Sequence, residues 1–230
     1  LALGKPPEQV FTTIDTKPLA SASIAQVYAV TLVENGETHD LVVKVQRQHL
    51  PELVAADVSM LSFCADVLAM LPGVRAANPQ AVVAQFQRNI AEELDFLGEA
   101  SRMEEFNQIM RDLGRSDVVA PRPLRALCRR DVLTMERLHG VRVDDLDGLL
   151  RIGITREQTE ARLIDGMHAW FSCMLRYGFF HGDVHAGNLM ALRDGRLGFL
   201  DFGIIGRLDR TRRKQIASYL LGFATQDFMQ

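Results

Sequence analysis

At 230 residues, 47% apolar and 24% charged, the chain is long enough for one large domain or two lobes, and its composition excludes a disordered protein. A formal net charge of −3 leaves no basic footprint for nucleic acid. No apolar run approaches the ~20 residues that a membrane-spanning helix requires, and the start carries no signal peptide.

In chain order, residues 1–16 form a lead-in, with Lys5-Pro6-Pro7 and then Val10-Phe11-Thr12-Thr13-Ile14 as a short helix or strand. Residues 18–33 read as half of a hairpin: a small-residue loop, Ala20-Ser21-Ala22-Ser23, then a β-prone run over 24–30. Asn35-Gly36 is a strong hairpin-turn signal, and 40–46 is the returning strand, with Lys44 the one cation in its β-branched run. Val54, Val58, Leu61, Ala65 and Leu68 recur at helical spacing over 51–70, and Pro72-Gly73 ends that helix. Asn78 and Pro79 supply the N-cap and first residue of a second helix, whose stripe runs through Val83, Phe86, Ile90, Leu94 and Leu97. Glu92, Glu93, Asp95 and Glu99 cluster within it.

Residues 118–123 are extended, 131–136 a strand and 137–140 a linker. After a polar stretch at 144–147, one helix is predicted over 155–177. Its wide apolar arc (Leu163, Ile164, Met167, Trp170, Phe171, Met174) marks it as central and buried. Apolar runs at 177–180 and 197–200 read as buried strands. Arg207, Arg210, Arg212, Arg213 and Lys214 read as a solvated basic helix start, with a phosphate or anionic-lipid contact as the lesser reading. Cys64, Cys128 and Cys173 are scattered and odd in number, so reduced, buried thiols of a cytosolic protein are expected. A chain that opens on Leu1 and stops within a helical pattern reads as a piece of a longer protein.

The polar residues at the ends of the two late strands carry the chemistry. They are His181-Gly182-Asp183-Val184-His185-Ala186-Gly187-Asn188, and then Asp201-Phe202-Gly203. An Asp, an Asn five residues on and a second Asp thirteen beyond that are spaced as phosphoryl transfer requires. One carboxylate faces the attacking group, while a side-chain amide oxygen and the other carboxylate hold Mg²⁺, a cation that prefers oxygen. Singly, Asp183 also reads as an Asx-turn and Asp201 as a turn start. His181, Asp183 and His185 alternate and could share one side of an extended segment to bind zinc. That reading leaves Asn188 and the Asp-Phe-Gly unexplained and ranks lower.

Phosphoryl transfer also needs a cation on the nucleotide phosphates and a close-fitting loop above them. Lys44 is the candidate cation and 20–23 the loop, with Ala20, Ser21, Ala22 and Ser23 in place of the usual glycines, hence stiffer. Val27 follows it on the strand. Glu99 is the favoured partner of Lys44, and Glu93 with Asp95 forms a second polar pair facing the cleft. Around Glu136 and Leu138 the chain would hold the adenine edge by its backbone; the plain alternative is a strand end.

Together these residues resemble the UbiB family of atypical kinase-like proteins, also called the AarF or coenzyme-Q-biosynthesis kinase family. Residues 18–27 are similar to its Ala-rich nucleotide loop and 42–47 to its lysine strand. Glu93-Leu94-Asp95-Phe96, with Glu99-Ala100 after it, is similar to its Glu-x-Asp helix. The resemblance covers nearly the whole chain. It implies a protein-kinase-like fold with added helices, ATP with Mg²⁺, ATPase activity shown more readily than protein phosphorylation, and links to quinone biosynthesis and membrane lipid. By position it gives Lys44 to the α/β-phosphates, Glu99 to Lys44, Asp183 to catalysis, and Asn188 and Asp201 to the metal. Ala186 stands where the family usually has Pro, which should loosen the catalytic turn. The family's Lys-x-Gly-Gln segment is not in this chain, and Gly4-Lys5 is no substitute.

The expected fold is α+β and two-lobed. Residues 1–138 form a kinase-like first lobe with inserted helices, residues 139–230 an incomplete, mostly helical second lobe, and a ligand cleft lies between them. The leading function is an ATP- and Mg²⁺-dependent kinase or ATPase, cytoplasmic and peripheral at a membrane, with nucleotide and quinone-pathway or lipid partners. Its rivals are a small-molecule kinase of the aminoglycoside or choline type and a nucleotide-sensing scaffold with negligible turnover.

Overall fold

In the computed structural model, which describes residues 4–225, the expected hairpin forms as β3 (Ala25–Glu34) and β4 (Glu37–Gln46). Asn35 and Gly36 take φ of 53° and 84°, the doubly left-handed turn that matches the twist of the strands it joins. The strands β1 (Thr13–Ile14) and β2 (Ala20–Ser21) both pair with β3, and β6 (Val132–Glu136) pairs with β4, all antiparallel. The small-residue stretch expected as a loop is thus half strand. Its first two residues join the sheet opposite Val27 and Gln26, and only the remainder turns.

Alternation in β4 sets the two faces of this sheet. Leu41 and Val43 point to one side and pack with Phe11, Val30 and Val132. On the same side a cavity of about 1100 Å³ opens, lined by Tyr28, Val43, Val45 and Leu94 among others. Lys44 lies one residue out of step with those valines and so faces the other way.

Three helices follow β4: α1 (Leu50–Ala69), the short α2 (Pro72–Arg75) and α3 (Pro79–Glu93). Asn78 caps α3 as expected, its side chain accepting from the Ala81 N–H, with Pro79 at the first helical position. Of the stripe predicted on α1, Val58 and Ala65 are buried, whereas Leu61 and Leu68 are exposed. The first helix ends before Pro72 as expected, and Pro72 itself begins α2.

The helix predicted from residue 78 through residue 99 is two helices. The second, α4 (Phe96–Asp112), starts anew after a break at Leu94 and Asp95. The Phe96 N–H turns out of the helical ladder to the Arg130 carbonyl, and Asp95 accepts the Glu99 N–H. A long-range backbone bond therefore interrupts an apolar stripe that continues in sequence.

The chain divides into two units, one of Leu1–Ala100 with Pro123–Arg137, the other of Ser101–Arg122 with Leu138–Gln230. Residues 101–122 thus group with the second unit although they precede residue 138. In that unit β5 (Val118–Val119), β10 (Leu197–Phe199), β9 (Leu189–Leu192) and β7 (Gly140–Arg142) form a sheet in that order, with β5 and β10 parallel. The predicted linker therefore leads into a strand. A short helix α5 (Leu146–Arg151), not foreseen, has Asp145 as its cap.

The strands β8 (Phe179–His181) and β11 (Ile205–Arg207) pair separately, and α7 (Arg210–Thr225) closes the described chain. Arg207 belongs to β11 rather than to the basic helix start, and it ion-pairs with Glu105. Among the described residues no helix is long and apolar enough to cross a membrane.

The helix predicted over 155–177 is α6 (Arg156–Ser172), opened by a Thr155–Gln158 capping box and followed by a π-type turn, Cys173–Tyr177. It is not a buried central helix: Ile164 and Met167 are exposed. Its buried residues are Thr159, Gly166 and Ala169, a Cβ at Gly166 would strike Leu197, and Trp170 donates to the His181 carbonyl. Gly178, with φ of 72°, ends the π turn, and a Cβ there would collide with the Leu208 carbonyl oxygen. Left-handed strain and the collision together should make Gly178→Ala cost about 3 kcal/mol in chemical denaturation. A loss below about 1 kcal/mol would contradict this account of the turn.

Cys128 and Cys173 are buried as expected, but Cys64 is exposed on α1. Burial pushes the Cys173 thiol up to about 12, with Glu105 adding to the rise. A thiol with so high a pKa carries no thiolate near pH 8. Iodoacetamide at pH 8 should therefore alkylate Cys64 in the native protein and reach Cys128 and Cys173 only after unfolding, which peptide mass spectrometry reads directly.

Candidate active site

The first unit carries Lys44 and its partner Glu99. Cross-strand register places Ala20 opposite Val27, Val27 opposite Lys44 and Lys44 opposite Leu133. Directly paired residues share a face, so these four form one row across the sheet. Lys44 is 7% exposed and Glu99 1% exposed. The Lys44 Nζ donates to both Glu99 carboxylate oxygens at 3.0 Å, and the ammonium lies 5.1 Å from the centre of the Phe96 ring. Starting α4 at Phe96 puts Glu99 in its first turn, where a helix N-terminus favours an anion.

Arg47 ties down the small-residue turn, donating from Nε to the Ala22 carbonyl and from a terminal nitrogen to the Ser21 hydroxyl. Ser21, Ala22 and Ser23 are exposed. Glu93 and Asp95 are half-buried at the α3–α4 junction. Near Glu136, which pairs with Leu41, the Arg137 N–H is already held by the Asp40 carbonyl. The Leu138 side chain packs near Gly198 on β10.

The second unit carries the Asp183 and Asp201 turns. Asp183 follows the end of β8 and Asp201 the end of β10, both exposed. His181 is 2% exposed and joins the two turns. Its Nδ1 accepts the Asp183 N–H at 3.2 Å. The other nitrogen, Nε2, therefore carries the proton and donates to the Leu200 carbonyl at 2.9 Å. With both ring nitrogens engaged, His181 is no zinc ligand. Among the described residues no group of three His, Cys, Asp or Glu side chains could hold a metal ion.

Asn188 belongs to the tight turn Ala186–Asn188, which forms with alanine at its first position. Its side-chain nitrogen donates to the Asp183 carbonyl and to the Asp183 Oδ2, each at 3.1 Å. Its amide oxygen is the atom left for a hard cation. The Asn188 carbonyl in turn accepts the Leu200 N–H at 2.8 Å, which fixes the Asp201 segment against this turn. His185 lies with Nε2 3.6 Å from the Asp183 Oδ2, while its Nδ1 accepts the Gly187 N–H.

Asp201 takes φ of 52°, and its Oδ1 accepts the Gly203 N–H at 3.2 Å. Behind it Phe202 is fully buried, 5.1 Å from Phe106 and 5.0 Å from His181 between ring centres. Sequence reasoning passed over three supports of these turns. They are His181 as a bridge, Arg102, whose Nε donates to the Phe202 carbonyl at 2.6 Å, and the paired bonds from Arg207 to Glu105.

A helix-borne Glu on a strand Lys, together with a His-Gly-Asp turn and an Asp-Phe-Gly turn, defines a kinase-like protein. The family model of the ABC1 atypical kinase-like domain matches residues 1–230. The chain belongs to this family and has its kinase-like α+β fold. It is 36% identical to an uncharacterised chloroplastic aarF domain-containing protein kinase of Arabidopsis thaliana, over 98% of this chain and 41% of that protein. It is 40% identical to an uncharacterised protein of Mycobacterium tuberculosis, over 91% of this chain and 42% of that protein. With a probable protein kinase UbiB of Photobacterium profundum it shares 33% identity over 99% of this chain and 42% of that protein. The chain thus spans about two fifths of the length of these relatives.

Proposed function

We propose that this chain is the nucleotide-handling part of an ATP- and Mg²⁺-dependent atypical kinase or ATPase. The observation that carries the reading is the buried Lys44–Glu99 pair, bonded through both carboxylate oxygens. Burying such a pair rarely gains stability over apolar packing, so its place in a strand calls for a chemical use. Glu99 holds the ammonium in one position, and Lys44 neutralises charge on the α/β-phosphates. Ala20, Val27 and the 20–23 turn cover the nucleotide, and the backbone about Glu136 and Leu138 meets the adenine.

Asp183 orients the acceptor and takes its proton, with Asn188 fixing its carboxylate. Asn188 and Asp201 supply the oxygens that suit Mg²⁺, and the ion, when bound, would neutralise charge developing on the transferred phosphoryl group. Glu93 and Asp95 add a second acidic pair toward the site. The acceptor is water, a lipid-like small molecule or a protein. A role in quinone or lipid metabolism, at the cytoplasmic surface of a membrane, is the setting we propose.

The test is calorimetric ATP binding and steady-state hydrolysis with the full-length protein. Binding should require Mg²⁺ for full affinity. Asp183→Asn should keep nucleotide affinity and lose hydrolysis by about 10²–10⁴-fold. Unchanged hydrolysis in Asp183→Asn would contradict the proposal, and rapid turnover only with alcohols or aminoglycosides would favour the small-molecule kinase.

A further inference from the structure

The carboxylate of Asp201 hangs from a backbone that non-glycine residues rarely adopt, φ of 52°. Such a conformation persists only where neighbouring groups over-determine it. On the N-terminal side the Leu200 peptide is held twice, its carbonyl by His181 Nε2 at 2.9 Å and its N–H by the Asn188 carbonyl at 2.8 Å. On the C-terminal side the Phe202 carbonyl accepts from Arg102 Nε at 2.6 Å, a short, charge-assisted bond. Arg102 is half-buried on α4, one turn beyond Glu99. One further turn on, Glu105 bonds Arg207 at 2.9 and 2.6 Å, and Arg207 lies on β11, which pairs with β8. The same face of α4 places Phe106 against the Phe202 ring.

We propose that Arg102 is a positioning residue for the metal ligand Asp201. By holding the Phe202 carbonyl it keeps the left-handed backbone at Asp201 and so fixes the direction of that carboxylate. The inference rests on reading Asp201 as an Mg²⁺ ligand. Glu105 and Arg207 pair with each other and steady the strand downstream, whereas Arg102 acts on the residue next to Asp201.

The test compares Arg102→Met, which keeps the apolar stem, and Arg102→Lys, whose ammonium can reach the same carbonyl, in the full-length protein. Two quantities are read: peptide-resolved hydrogen exchange over residues 200–204, and the Mg²⁺ concentration for half-maximal hydrolysis at saturating ATP. In Arg102→Met, exchange over 200–204 should speed at least tenfold. Half-saturating Mg²⁺ should rise at least tenfold, with nucleotide affinity in the absence of metal unchanged. Arg102→Lys should recover much of both. A folded Arg102→Met protein with wild-type exchange in that segment, or with a wild-type Mg²⁺ requirement, would overturn the proposal. If Arg102→Met does not melt cooperatively, Arg102→Lys must show intermediate shifts, and wild-type values there would overturn it equally. A wild-type protein that neither binds nor hydrolyses ATP would sink the kinase reading alone, and exchange would then decide the role of Arg102 by itself.

Discussion

Replacing Asp201 by Asn in the full-length protein should lower Mg²⁺-dependent ATP hydrolysis by about 10²–10³-fold, the scale on which one electrostatic stabiliser of a transition state matters. Asn is the suitable probe because it tolerates the left-handed backbone found at this position, φ of 52°. Its side-chain oxygen can still accept the Gly203 N–H that Asp201 accepts. Asp201 is exposed, so the melting temperature should hardly move. Ala at the same position would confuse the result by adding backbone strain. Hydrolysis within threefold of wild type in Asp201→Asn, at sub-saturating Mg²⁺, would remove this residue from the metal site.

The second large effect concerns the buried pair. Glu99→Gln removes a negative partner of an ammonium that is 7% exposed, and Lys44→Met removes a cation from a carboxylate that is 1% exposed. Breaking one side of such a pair costs about 3–5 kcal/mol. The double variant Lys44→Met with Glu99→Gln should lose less stability than the two single losses added, because the two opposite charges are then removed together. Activity should not follow stability: every variant lacking Lys44 should be inactive, however well it folds. Urea denaturation alongside hydrolysis separates the two readouts. Additive stabilities would show that the two groups do not depend on each other.

Local signals proved legible where the chain obeys local rules. The Asn35-Gly36 turn needs two left-handed residues, which that dipeptide supplies. Asn78-Pro79 capped α3 for an equally local reason. Lys44 could be singled out because it lies on the return strand of a hairpin that carries a small-residue loop, and α4 brings Glu99 to it within hydrogen-bond reach.

The misses share a different cause. The break at Asp95 comes from the Phe96 N–H bonding the Arg130 carbonyl, a partner far away in sequence. The apolar arc of α6 gave no sign that its buried residues would include Gly166 and Ala169 and leave Ile164 and Met167 outside. In the turns, the Asp and Asn residues stood out by spacing. The carbonyls of Leu200 and Phe202, which His181 and Arg102 hold, belong to the backbone and leave no mark in a sequence.

The central proposal is that Lys44 and Asp201 each take part in handling Mg²⁺-bound ATP. An acyl-phosphate derivative of ATP, which acylates an amine lying against the phosphates, tests it most directly. With the full-length protein, mass spectrometry should find Lys44 as the acylated lysine. Excess ATP with Mg²⁺ should suppress the label, and Asp201→Asn should weaken that suppression at least tenfold. Labelling of other lysines with Lys44 unmodified, or protection of Lys44 unaffected by Asp201→Asn, would contradict the account.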